Sequence, residues 1–243
     1  MTTNSARILI VDDEADTCDN LSDILSDLGY DVDIATNGPA ALKCVEAAHY
    51  DVALLDLRMP GMDGLELYRL IKEKSASTVA LVVTAYASSE QATAVLAAGA
   101  RKIVSKPVNI PYLLSIVEEA VVSPVVMVVD DDCELCENLW DIFHEAGYRV
   151  HLAHDSQDAA AWLKEHRVEI VLLDMKLPGG DSQHVLRTIR EENPQARTII
   201  VTGYRQEMEL RVQQALSEGA SAVVYKPFDV QELIHTVRSC TNS

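Results

Sequence analysis

The chain repeats itself. The stretch Ile8-Leu-Ile-Val-Asp-Asp-Glu14 returns as Val126-Met-Val-Val-Asp-Asp-Asp132, 118 residues later, the distance from Asp12 to Asp130. The same offset carries Gly29-Tyr30 onto Gly147-Tyr148, Leu54-Leu55-Asp56 onto Leu172-Leu173-Asp174, Pro60-Gly61 onto Pro178-Gly179, and Thr84 onto Thr202. Two inserted residues then bring Gly99-Ala100 to Gly219-Ala220 and Lys106-Pro107 to Lys226-Pro227. A period this long, present twice in 243 residues, denotes a duplicated globular domain and excludes a solenoid of short repeats. Division near Ser123 predicts domains over 1–122 and 123–243, joined by the short, proline-stiffened Val122-Ser-Pro124, which restricts their relative orientation.

Within each copy, short apolar β-branched runs alternate with amphipathic stretches, the pattern of βα units around a parallel sheet. Strands are expected near 7–11, 31–34, 51–55, 79–83 and 102–105, then 125–129, 149–152, 168–173, 197–201 and 221–225. Runs such as Val52-Ala-Leu-Leu55 and Ile170-Val-Leu-Leu173 lack alternation, as strands covered on both faces do. The expected fold is therefore α/β, two tandem doubly wound five-stranded parallel (βα)5 domains. The first helix of each copy presents a stripe, Cys18, Leu21, Leu25 and Leu28 in one, Leu135, Leu139, Ile142, Phe143 and Ala146 in the other. Each stops at a Gly-Tyr pair.

Ligands of open α/β sheets bind beyond the carboxyl ends of the strands, and the informative polar residues sit there. Asp12 and Asp13 follow the first strand, Asp56 ends the third, Thr84 the fourth and Lys106 the fifth; the second copy supplies Asp130, Asp131, Asp174, Thr202 and Lys226. Three converging carboxylates repel one another unless a cation neutralises them. With no His or Cys in the set, a hard ion with oxygen ligands is indicated, Mg²⁺ rather than zinc. Lysine offers a point charge for a phosphoryl oxygen and threonine a short hydroxyl donor. Asp56 and Asp174 stand alone at their strand ends and are the candidate phosphoryl acceptors, while the paired aspartates serve as metal ligands.

These residues together resemble the receiver domain of bacterial two-component response regulators, the CheY-like, flavodoxin-like fold, along nearly the whole chain. The motifs are the acidic pair, the runs Asp56-Leu-Arg-Met-Pro-Gly61 and Asp174-Met-Lys-Leu-Pro-Gly179, the Thr ending strand four, and the Lys-Pro dipeptide. The resemblance implies phosphoryl transfer from a phosphohistidine of a sensor histidine kinase or histidine phosphotransfer protein to Asp56 and Asp174. It implies Mg²⁺ held by Asp13 with Asp56 and by Asp131 with Asp174, helped by Asp12, Asp130 and the backbone carbonyls of Arg58 and Lys176. Thr84 and Thr202 would turn toward the phosphoryl group, Lys106 and Lys226 pair with its oxygens, and a cis peptide precedes each proline. The output is a changed surface read by a downstream protein, with a homodimer left open.

The family's aromatic three residues before the lysine is replaced here by Ile103 and Val223. Tyr86 and Tyr204, two residues past each threonine, are candidates for tuning acyl-phosphate lifetime, with plain packing over the site the competing reading; Arg58 and Lys176 are placed to hinder a hydrolytic water. Slow self-dephosphorylation is expected. Asp132 for Glu14 and Ser182 for Gly64 are expected to be tolerated.

Other readings carry less. Cys133-x-x-Cys136 has redox spacing, yet Cys136 aligns with Cys18, which has no second cysteine three residues away, and this favours a small apolar helix residue. His144-Glu145 lacks any accompanying ATP-binding glycine motif. Aspartyl-phosphate hydrolases need a second Asp two residues after the nucleophile, where Arg58 and Lys176 stand. The chain is therefore expected to be a signalling receiver and not an enzyme, or, alternatively, the regulatory front of a larger kinase or output protein in which one receiver only docks. A net charge of -18, shared as -9 in each half, disfavours direct binding to nucleic acid or anionic membrane. Polar Met1–Ser5 and five cysteines without a disulfide pattern suggest a cytoplasmic protein.

Overall fold

The computed structural model describes residues 5–85, 88–178, 182–203 and 209–241. It divides into two compact units, Met1–Ser123 and Pro124–Ser243. Ser123 goes with the first because it caps that unit's last helix, its hydroxyl donating to Glu119 O at 2.8 Å and accepting from Arg101.

The first unit runs β1 (Arg7–Val11), α1 (Ala15–Asp27), β2 (Asp31–Ala35), α2 (Gly38–Ala47), β3 (Val52–Leu55), α3 (Gly64–Lys74), β4 (Val79–Thr84), α4 (Ser89–Ala97), β5 (Lys102–Ser105) and α5 (Ile110–Val122). The second repeats it as β6 (Val125–Val129), α6 (Cys133–Glu145), β7 (Arg149–Ala153), α7 (Ser156–Glu165), β8 (Ile170–Asp174), α8 (Ser182–Glu192), β9 (Arg197–Thr202), α9 (Glu209–Ser217), β10 (Ala222–Tyr225) and α10 (Val230–Thr241). Each sheet is five-stranded and parallel, ordered β2-β1-β3-β4-β5 and, correspondingly, β7-β6-β8-β9-β10. Strand order reverses between β1 and β3, and between β6 and β8, which opens a crevice at their carboxyl ends.

Alternate residues of the buried strands feed opposite layers. Leu9, Val11, Ala53 and Leu55 pack with Leu67, Ile71 and Val95 from α3 and α4. Ile8, Ile10, Val52 and Leu54 pack with Cys18, Leu25, Leu113 and Val117 from α1 and α5. In the second unit Met127, Val129, Val171 and Leu173 meet Leu163, Val185, Ile189 and Ala215. Among the described residues, no helix is long and apolar enough to cross a membrane.

Strand ends fall within two residues of expectation, and the helix stripes need correction. Leu28 is 57% exposed because α1 has ended: it is the cap residue, and Gly29 beyond it takes φ +92°. There Tyr30 N–H reaches Leu25 O and Gly29 N–H reaches Ser26 O, a closure that needs the left-handed conformation glycine permits. In α6 the buried stripe is Cys136, Leu139, Trp140 and Phe143, leaving Leu135 and Ile142 half-buried. Trp140 turns inward and stacks on His144, ring centroids 4.4 Å apart.

Candidate functional site

Each crevice is assembled from four strand ends, those of β1, β3, β4 and β5 in the first unit and of β6, β8, β9 and β10 in the second. Asp12 is held at the end of β1 by its N–H bond to Ala35 O, and Asp56 after β3 by its N–H bond to Val11 O. In the second unit Asp130 bonds to Ala153 O, while Asp174 lies within β8, paired with Val201. These four aspartates are at most 7% exposed. The neighbouring Asp13 and Asp131 are exposed at the mouth. In each trio, Asp12-Asp13-Asp56 and Asp130-Asp131-Asp174, ligand oxygens lie within 4.8 Å of one another.

The buried carboxylates are satisfied by a division of labour between their oxygens. Asp12 Oδ1 accepts from Glu14 N–H and Asp56 Oδ1 from Arg58 N–H, both at 3.0 Å. Asp130 and Asp174 repeat this with Asp132 (3.1 Å) and Lys176 (2.9 Å). The Oδ2 atoms turn to lysine: Lys106 Nζ stands 2.6 Å from Asp12 and 2.8 Å from Asp56, and Lys226 Nζ 2.5 Å from Asp130 and 2.9 Å from Asp174. Burial alone would lower both ammonium pKa values, but the hydrogen bonds and negative charges of two carboxylates prevail and hold both lysines above the usual range. At Asp130 burial is the largest influence and raises the carboxyl, Lys226 and the Asp132 N–H opposing it.

Thr84 and Thr202 end β4 and β9, buried, and their carbonyls accept the N–H of Lys106 and Lys226. Thr202 Oγ1 has no hydrogen-bond partner among the described residues, an unspent donor at the crevice wall. Both Lys-Pro peptides are cis. Ile103 and Val223, at the position of the family's aromatic, pack against the core clusters of their units. Tyr86, Tyr204 and Gly179 lie outside the described residues.

Several contributors are not apparent from residue type. A Cβ on Gly64 would lie 2.3 Å from Asp56 O and 2.7 Å from Leu57 Cα, so glycine lets α3 approach the backbone of Asp56. Ser182 fills that place in the second unit, its hydroxyl donating to Met175 O. Asp132 caps α6 by accepting Leu135 N–H, which Glu14 does not do for α1. Cys18 and Cys136 donate S–H to the carbonyls of Asp12 and Asp130, at 3.4 and 3.3 Å. The recurrence of cysteine at the aligned positions 18 and 136 is the sequence signal for it.

Mg²⁺ takes oxygen ligands at about 2.1 Å, hence about 4.2 Å between opposed ligands. Oxygens already within 4.8 Å of one another suit it after small adjustment.

Comparison with known proteins follows the duplication. The profile of the response regulator receiver domain matches residues 8–118 and again 126–238. A response regulator receiver protein of Anaeromyxobacter sp. (strain Fw109-5) is 32% identical over 231 residues, covering 95% of this chain and 93% of that protein. The regulatory protein AtoC of Escherichia coli (strain K12) is 39% identical over 114 residues, which are 47% of this chain and 25% of AtoC. Among solved structures, a CheY-like response regulator receiver domain protein from Methanospirillum hungatei JF-1 aligns with 36% identity and a TM-score of 0.48, covering 49% of this chain and 94% of that one.

Proposed function

Because the chain belongs to the response regulator receiver family, matched once by each of its units, we propose that both units accept a phosphoryl group, on Asp56 and on Asp174. The observation that carries this reading is the same buried constellation built twice: two aspartates bridged by one lysine, a third at the mouth, and a buried threonine.

The donor is a phosphohistidine on a sensor histidine kinase or a histidine phosphotransfer protein. A carboxylate oxygen of Asp56 bonds to phosphorus as the phosphorus–nitrogen bond breaks, the electron pair leaving with the imidazole, which takes up a proton. Lys106, already at the Asp56 Oδ2, passes from carboxylate to phosphoryl oxygen with little movement. The Thr84 hydroxyl supplies a second donor, and in the other unit Thr202, whose Oγ1 has no partner among the described residues, supplies the same. Asp12, Asp13, Asp56 and the Arg58 carbonyl would hold Mg²⁺, as would Asp130, Asp131, Asp174 and the Lys176 carbonyl. When bound, the ion offsets the charge of the phosphoryl oxygens and carboxylates. A phosphoryl group of about -1.5 to -2 charges biases the loops after β4 and β5, or β9 and β10, toward a second arrangement that a downstream protein reads.

Incubation with a small-molecule phosphodonor and Mg²⁺, followed by intact mass, tests this. Two added phosphoryl groups are expected on the wild type and one on each of Asp56→Ala and Asp174→Ala. No addition to the wild type overturns the proposal; one addition, lost in a single variant, restricts it to that unit.

A further inference from the structure

The two crevices differ at one flank. Cys133 is the first residue of α6 and exposed; Cys136, one turn later, is fully buried with its S–H on Asp130 O. The imidazole of His154, which follows β7, lies between Cys133 and the Asp130 carbonyl that Cys136 also contacts: Nδ1 is 3.3 Å from Asp130 O and 3.9 Å from Cys133 Sγ. A carbonyl oxygen only accepts, so the Asp130 contact makes Nδ1 the N–H, and that N–H also faces the Cys133 sulfur. The first unit has Ala15 and Thr36 at these places, so Cys18 there has neither a partner thiol nor the imidazole.

From this arrangement we infer that Cys133 and Cys136 are a dithiol pair that closes to a disulfide and thereby controls the second crevice. This rests on Asp174 being a phosphoryl acceptor. Both cysteines are free thiols in the structure. Side chains three apart on a helix have Cβ atoms about 5–6 Å apart, and a disulfide needs about 3.5–4.5 Å. In this first turn Cys136 N–H bonds to Asp132 O at 2.9 Å and Leu135 N–H to the Asp132 side chain at 3.1 Å, so closure must tighten the turn against these two bonds.

The oxidant is a small-molecule disulfide of the glutathione class. Exposed Cys133 attacks one of its sulfurs, forming a mixed disulfide and releasing one thiol that takes the Cys133 proton. Once the first turn shifts and brings Cys136 out of its buried position, its thiolate attacks Cys133 Sγ, forming the intrahelical disulfide and releasing the second thiol with the Cys136 proton. The protein loses two electrons and two protons, and the oxidant becomes two thiols. Closure draws Cys136 Sγ off Asp130 O and removes the S–H donor from the main chain of a crevice aspartate. Intracellular disulfides of this kind are typically transient and sensory.

The whole chain is equilibrated in oxidised or reduced glutathione, labelled with acetyl phosphate and Mg²⁺, and digested after thiol blocking, so that the disulfide and both aspartyl labels are read from one sample. The expected result is a Cys133–Cys136 disulfide, reversed by dithiothreitol, with labelling of Asp174 slowed on the order of fivefold or more relative to Asp56 in the same molecules. Cys133→Ala, which places alanine where the first unit has it, should abolish the disulfide and leave the labelling ratio insensitive to glutathione. Absence of the disulfide, or a disulfide with an unchanged ratio, overturns the inference. A reduced sample in which Asp174 takes no label overturns the acceptor reading beneath it, and the disulfide measurement made alongside keeps the two failures distinct.

Discussion

Asp56 and Asp174 show how much a single side chain depends on the backbone behind it. One oxygen of each is spoken for by an N–H two residues on, so the remaining oxygen, facing lysine, is the one the surroundings leave adjustable. Removing the lysine leaves two buried carboxylates without their cation. Lys106→Met should therefore destabilise the first unit by about 3 kcal/mol in metal-free buffer, and Mg²⁺ should restore part of the loss; thermal melts with and without the ion decide, and a melt indifferent to Mg²⁺ would speak against the shared role of these carboxylates. Gly64→Ala meets a different constraint, since its Cβ would press on Asp56 O and Leu57 Cα. Overpacking of that kind costs about 1–3 kcal/mol, visible as a lower melting temperature, and Asp56 labelling should fall with it. Alignment of the two copies shows Gly64 against Ser182 without hinting at this asymmetry, because how closely α3 approaches the strand end leaves no mark on residue type.

Among the elements, α1 and α6 tie the core to the crevice through their buried cysteines. Burial, assisted by the negative charge of Asp12, pushes the Cys18 thiol up to about 11 from the ordinary 9.0, and burial with Asp130 pushes Cys136 up to about 12. Above pH 9.0 the folded state holds protons that the unfolded chain has lost. The associated stability is complete below that pH and declines as pH rises toward the folded values. Cys18→Ala should flatten the decline for the first unit by about one proton's worth of slope; chemical denaturation between pH 8 and 11 measures it, and an unaltered slope would refute the coupling. Much of this architecture was legible in advance. Strands such as Val52–Leu55 lie between two helical layers and so read as unbroken apolar runs, and Gly29 and Gly147 marked the helix ends because left-handed backbone leaves few alternatives. The inward turn of Trp140, the exposure of Leu28 and the inclusion of Asp174 in β8 were not legible. Helical spacing defines a stripe to within one neighbouring residue, and strand ends depend on a partner far away in the chain.

At the scale of the whole molecule, two copies of one unit carry two sets of the same acidic residues, so part of the formal charge of -18 is concentrated in the crevices. Saturating Mg²⁺ should therefore stabilise both units, by about 2.7 kcal/mol each at a hundredfold excess over the dissociation constant. Replacing Asp13 and Asp131 together by Asn should erase most of that gain in calorimetry; retention of the full gain would place the ion elsewhere. The lysine bridges add something of another kind. Lys106 follows the edge strand β5 and reaches back 94 residues to Asp12, and Lys226 reaches back 96 to Asp130. A nascent or misassembled unit in which the last strand has not joined its sheet has the acids but lacks their counter-ion, so the phosphoryl acceptance proposed for a unit would also report that its final strand is in place.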